Sequence, residues 1–211
     1  MPNDSISQCF VIGGSPCSGK STLAERLSQA YSLPYYKVDD HERRHMATVD
    51  PQLHPTMAAY SKMSWDQIWS RPVDVQVEEE FAFYRERATM IQEDLLEFAN
   101  HGSILLEGTA FFPDLVAEWG IQPEHALFIV PTKTFQRHHY GQRPWIKMIL
   151  ESCAEPDQAF ANWMERDYRF GLEIIQQAQK MGYRTLIIDG TRDIDYIYSM
   201  LLEHFSLNRT K

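Results

Sequence analysis

Short apolar runs punctuate the chain at five places, each closed by a small or acidic residue: Gln8 to Gly13, Tyr35 to Asp39, Ser103 to Glu107, Ala126 to Val130 and Thr185 to Asp189. Their length and their β-branched or aromatic content predict strands. The runs are nearly continuous in apolar residues rather than alternating, the pattern of strands buried on both faces of a parallel sheet. Between them the period changes to that of a helix. Val77, Phe81, Tyr84, Ala88, Ile91, Leu95 and Phe98 make one apolar stripe, stopped by His101 and Gly102. Phe160, Trp163, Gly171, Ile174, Ala178 and Met181 make another, opened by Glu155-Pro156-Asp157 and stopped by Gly182. Strands alternating with helices through short joints predict an α/β fold: a doubly wound parallel sheet, three layers deep, with helices on both faces and right-handed crossovers.

Two stretches interrupt the alternation. Residues 41–72 are rich in Met, His, Pro and aromatics, with Trp65 and Trp69 behind the predicted N-cap Ser64. Residues 131–156 contain FQRHHYGQRPW, a basic segment in an acidic chain. Both follow strand ends, where open α/β sheets bind ligands. The 211 residues predict one domain over 1–211, large enough to bury a core without disulfides or structural metal. Cys9, Cys17 and Cys153 are widely spaced and form no CxxC pair, which predicts a reducing, cytoplasmic setting. No basic leader with an apolar run opens the chain and no stretch approaches eighteen apolar residues, so no membrane association is expected. With 29 acidic against 20 basic residues, a net charge of −9 opposes a polynucleotide partner.

The chemistry begins at FVIGGSPCSGKST, which contains G-x-x-x-x-G-K-S from Gly14 through Gly19 and Lys20 to Ser21. It stands directly after a predicted strand and directly before the helical TLAERLSQAY, the context a phosphate cradle needs. Gly14, Ser15, Pro16, Cys17, Ser18, Gly19, Lys20, Ser21 and Thr22 are thus expected to hold ATP with Mg²⁺. Backbone N–H groups converge on the phosphate oxygens, and the helix N-terminus adds its positive end. Lys20 neutralises β/γ charge and Ser21 ligates the metal.

Together with YYKVDD and ILLEGTAFF, this loop resembles the P-loop kinases of small molecules, especially the uridine kinase and nicotinamide riboside kinase branch. Chloramphenicol phosphotransferase begins similarly. The resemblance implies a five-stranded sheet of order 2-3-1-4-5, a helical substrate insertion over 41–72, a lid over 131–156, and a small-molecule alcohol as phosphoryl acceptor. It sets the aspartate at the end of the second strand beside the acceptor hydroxyl. It also makes Arg137 and Arg143 lid arginines that close over the phosphates, and places Thr191 and Arg192 beside the adenine.

The residues carry part of this themselves. Asp39 and Asp40 close a strand beside the loop, so either carboxylate can accept the hydroxyl proton or hold the metal. Asp39 is the preferred base, and helix capping is the competing role for both. Glu107 ends an apolar strand, where a buried carboxylate needs a metal, water or donor; it is the second metal-side candidate, against a structural salt bridge. Asp40, Arg43, Trp65 and Tyr84 are candidate acceptor contacts, and Tyr60 and Trp69 could join their wall.

Other signals weigh less. His41-Glu42-Arg43-Arg44-His45 matches H-E-x-x-H, but its two arginines would crowd a dication and a helix start is expected instead. Glu78-Glu79-Glu80 is expected to begin the long helix and complement its dipole. His138 and His139 are expected in an exposed loop. No guanine-reading N/T-K-x-D is present, which favours ATP over GTP. The alternatives to a kinase are a nucleotide-binding regulatory module that hydrolyses ATP slowly or not at all, and a polynucleotide 5′-kinase, which the acidity opposes.

Overall fold

The structure is a computed structural model and describes residues 6–97 and 102–207. Five parallel strands form one sheet: β1 (Phe10–Gly14), β2 (Tyr35–Lys37), β3 (Leu105–Glu107), β4 (Ala126–Pro131) and β5 (Arg184–Ile188), in the order β2-β3-β1-β4-β5. The helices are α1 (Lys20–Tyr31), α2 (Glu42–Ala47), α3 (Pro55–Tyr60), α4 (Trp65–Trp69), α5 (Val73–Leu96), α6 (Pro113–Glu118), α7 (Lys133–Gly141), α8 (Pro144–Leu150), α9 (Pro156–Met181) and α10 (Ile194–His204). A parallel sheet in this order, with a glycine-rich loop leaving its central strand, is a fold of the P-loop kinase type.

Successive strand residues feed opposite cores, as the alternation of side chains along a strand requires. Val11, Leu106, Ala126, Phe128 and Val130 pack against α5, α6 and α9. Ile12, Leu105, Leu127 and Ile129 pack against α1 and α10. Both sets are apolar because both faces are covered, so the runs read as continuous. A third, smaller core joins the two excursions: Ile68 and Trp69 of α4 meet Tyr140, Ile146 and Cys153 from residues 131–156, over Ala159, Trp163 and Met164 of α9.

Several elements begin and end differently from the sequence pattern; β1 and β3, for example, start two residues later than expected, at Phe10 and Leu105. The second strand stops at Lys37, and Val38–His41 turns as a 3₁₀ helix. The long helix starts at Val73 rather than at the glutamate run, so Asp74 is the acid of its first turn and Glu78 to Glu80 lie a turn further in. That corrects the dipole role expected of them. The basic segment is helical, α7 followed by α8, with Thr132 capping α7 through Phe135 N–H. The expected stop at Phe98 and His101 lies outside the described residues. Ser64 caps α4 as expected, in a reciprocal pair with Gln67.

Candidate functional site

The glycine-rich loop is set by close approach. Gly14 has φ +122°, and a Cβ there would stand 2.0 Å from the Ile129 carbonyl oxygen, so only glycine lets β1 turn out of the sheet against β4. Lys20 follows at the first turn of α1, almost fully buried, its Nζ donating to the Ser15 carbonyl at 2.7 Å and to Ser18 Oγ at 3.4 Å. Burial lowers its pKa, against the opposing pull of Glu107, Asp39, Cys17 and Asp167. Burial also pushes the Cys17 thiol up to about 11.

Parallel pairing brings the carboxylates to this loop. Glu107 pairs in register with Ile12 on one side and Lys37 on the other, so it ends β3 beside both the loop and the turn after β2. It is buried, and accepts from Ser21 Oγ at 3.2 Å and from the Tyr35 hydroxyl at 2.9 Å. Burial raises its pKa, while Lys20 and these two hydroxyls pull it back. Asp39 sits on the turn after β2, exposed at the cavity wall, and neither it nor Asp40 caps the helix that follows. Gly108, with φ +145°, makes room for that turn: a Cβ there would lie 2.1 Å from Val38 Cγ1.

A buried network braces the same turn. Arg87 of α5 is fully buried; its Nη2 donates to the Val38 carbonyl at 2.6 Å, its Nε to His45 Nδ1 at 2.9 Å and its Nη1 to Glu42 Oε2 at 3.2 Å. Because a guanidinium only donates, His45 Nδ1 accepts, and Nε2 carries the proton toward Asp94 Oδ2 at 2.9 Å. His45 is therefore neutral, and burial lowers its pKa. Asp94 also accepts from the Tyr36 hydroxyl at 2.7 Å and pairs with Arg44 at 2.6 Å. Burial would raise Asp94, but these donors hold it below its ordinary value. The H-E-x-x-H match is thus spent on the network, with His41 stacked on Tyr36.

A cavity of about 510 Å³ runs from the loop into an aromatic chamber. Its loop end is walled by Pro16, Cys17, Ser18, Gly19, Lys20, Ser21 and Thr22, with Asp39, Glu107 and Thr109. Its far end is walled by Tyr60, Trp65, Phe83 and Tyr84, and by polar side chains including Arg71, Glu79, Glu80 and Arg166. Gly14 and Ser15 lie buried beneath the loop. A second cavity, of about 320 Å³, shares Cys17, Ser18, Gly19 and Arg143 with the first and is closed by Phe135, His139, Ile188 and Arg192.

The expected site residues divide accordingly. Lys20, Ser21, Asp39, Glu107, Arg143, Trp65 and Tyr84 meet around the first cavity, and of the two arginines expected in a lid only Arg143 lines both cavities. Arg137 points elsewhere, its guanidinium over the Phe160 ring at 5.3 Å. Asp40 and Arg43 are exposed and line neither cavity. Trp69 is buried, stacked on Trp163 at 3.9 Å. Thr191 is tied to Asp189, which accepts from its N–H and hydroxyl at 2.9 and 2.7 Å.

The sequence pattern did not single out Arg87, Asp94, Arg166 or Asp167. Asp167 is buried, with Oδ1 2.6 Å from Arg166 Nε. Burial raises its pKa against the pull of Arg166 and the Tyr140 hydroxyl. Both Arg87 and Asp167 occupy apolar stripe positions, Arg87 between Tyr84 and Ile91 and Asp167 between Trp163 and Gly171. A charge inside such a stripe must be paired, and that was the available signal.

The oxygen donors present suit magnesium, which takes few protein ligands and completes its shell with water and phosphate. Ser21 and Glu107 are in contact and Asp39 shares their cavity. Among the described residues no helix is long and apolar enough to cross a membrane.

No protein-family model and no curated protein matches the chain. Solved structures similar to it include an uncharacterized protein from Eubacterium ventriosum, 15% identical, with TM-score 0.43, covering 95% of this chain and 99% of that one. They also include a gluconokinase from Sinorhizobium meliloti, 13% identical, with TM-score 0.43, covering 96% of this chain and 93% of that one.

Proposed function

We propose that the chain is an ATP-dependent phosphotransferase that moves the γ-phosphoryl group of ATP to a hydroxyl of a small molecule. The observation that supports this is the meeting of Lys20, Ser21, Asp39 and Glu107 on the wall of one cavity that continues into an aromatic chamber. Asp39 accepts the proton of the acceptor hydroxyl as its oxygen bonds to the γ-phosphorus. The bond to the β-phosphate oxygen breaks, and ADP leaves with that electron pair. Lys20, and Arg143 at the junction of the two cavities, stabilise the charge that spreads over the transferring group. Magnesium, held by Ser21 and Glu107 with Asp39 near, would neutralise charge on the β- and γ-oxygens. The second cavity, between Phe135, His139 and Arg192, is assigned to the nucleoside end of ATP.

The test is ADP release from Mg-ATP across a library of small alcohols, with wild type and Asp39→Asn. Stimulated release is expected in the wild type and a loss of about 10²- to 10⁴-fold in the variant, the range for a general base. If nucleotide binds but no alcohol stimulates release, or if Asp39→Asn behaves as wild type, a non-transferring nucleotide-binding module is the better description.

A further inference from the structure

The arginines at the far end of the cavity are already paired with carboxylates. Glu79 of α5 pairs with Arg71, and Glu80 pairs with Arg166, which Asp167 also contacts. Glu42 is paired with Arg87 from behind the wall. The Arg166 guanidinium lies over the Trp69 ring at 5.1 Å, so the second pair is clamped between a carboxylate and an indole. A carboxylate or phosphate entering here must displace a glutamate from its arginine, and an amine must displace an arginine from its glutamate. Either leaves a half-buried charge unpaired, which costs more than the new contact returns.

The Gln76 carbonyl oxygen and the indole N–H groups of Trp69 and Trp163 have no hydrogen-bond partner among the described residues, but these atoms are buried behind the cavity wall, out of a guest's reach. Tyr60 and Phe83, edge to face at 5.6 Å, and Tyr84 offer apolar surface in the wall itself.

Building on the kinase assignment, we propose that the pairs Arg71–Glu79 and Arg166–Glu80 make this chamber selective for an uncharged alcohol that carries a ring against the Tyr60, Phe83 and Tyr84 wall, and exclude anionic and cationic alcohols. The pairs are specificity determinants through the charge they cancel.

The experiment is a panel of uridine and phenyl β-glucoside (uncharged), gluconate and uridine monophosphate (anionic), and choline and glucosamine (cationic). Binding is read by saturation-transfer NMR with Mg-ADP present, and turnover by ADP release from Mg-ATP. Uncharged members should bind and charged ones should not. Glu79→Gln leaves Arg71 uncompensated and should shift relative affinity toward the anions by about tenfold or more; Arg71→Gln should shift it as far toward the cations. A charged member preferred by the wild type, no binding by either uncharged member, or variants that leave the order unchanged would overturn the proposal. Uncharged members that bind without turnover support the chamber and refute the kinase assignment instead.

Discussion

Replacing Arg87 by methionine keeps much of the volume and removes every donor of the guanidinium. The Val38 carbonyl and His45 Nδ1 then lose their partners inside the protein, and Glu42, half-exposed, loses its counter-charge to water. Each buried acceptor left unmet costs about 1–3 kcal/mol, and breaking one side of a buried charged arrangement costs about 3–5 kcal/mol in total. The solvated Glu42 side adds little. Relief of the arginine's own burial, together with methionine packing, offsets part of this, so a loss of about 3–4 kcal/mol is expected. That is a large share of the roughly 5–15 kcal/mol that holds a domain folded. Urea unfolding followed by circular dichroism at pH 7.5 measures it, and an unchanged m-value keeps the comparison two-state. Arg87→Lys should lose more than half as much, because an ammonium cannot reach three acceptors in three directions. Glu42→Gln added to Arg87→Met should cost less than the sum of the two singles. A loss under about 1 kcal/mol for Arg87→Met would show that water replaces the guanidinium, and the bracing role would fall.

The same network has a pH signature. His45 has a folded pKa below its unfolded value near 6.5, so the unfolded state binds more protons as pH falls below 6.5, and stability should drop there. His45→Gln should flatten that part of the curve; the remaining slope combines His204, whose pKa burial also lowers, with Glu107 and Asp167, whose raised pKa values act against it. An unaltered slope would mean that His45 does not titrate as the contacts require. Gly108→Ala should cost about 1–3 kcal/mol of stability and impair transfer further, because its Cβ meets Val38 next to Asp39; denaturation midpoints and ADP release check both. Cys17, with its thiol near 11, should react slowly with iodoacetamide at pH 7.5 and more slowly still with Mg-ATP present; rapid, unprotected labelling by mass spectrometry would contradict its placement in the loop wall.

The sheet was legible because its strands are apolar on both faces and are followed closely by small or acidic residues, although β2 ends at Lys37, two residues before Asp39. The phosphate loop was legible because its glycines and Lys20 occur at fixed spacing between a strand and a helix. The chamber was not. Residues 41–72 and 131–156 fold into short helices whose apolar residues pack against each other and α9, so no periodicity within either segment marks its buried face. Glu79 and Glu80 were placed at a helix start because the stripe begins at Val77, whereas α5 extends back to Val73 behind Pro72. That one-turn difference moves both carboxylates from a helix end to the cavity wall. Arg87 and Asp167 stood within apolar stripes, but their partners, Val38 and His45 for one and Tyr140 for the other, come from segments that sequence spacing does not connect.

The small core shared by α4, residues 131–156 and α9 ties Trp69 to Tyr140 and Ile146, and so to the segment that carries Arg143. A guest that steadies the indoles at one end of the cleft thereby steadies the guanidinium at the other. Thermodynamic reciprocity then requires nucleotide to tighten the guest's hold by the same factor that the guest tightens the nucleotide's. The two compartments rest on one shared core, so a change of packing under either is felt by its neighbour.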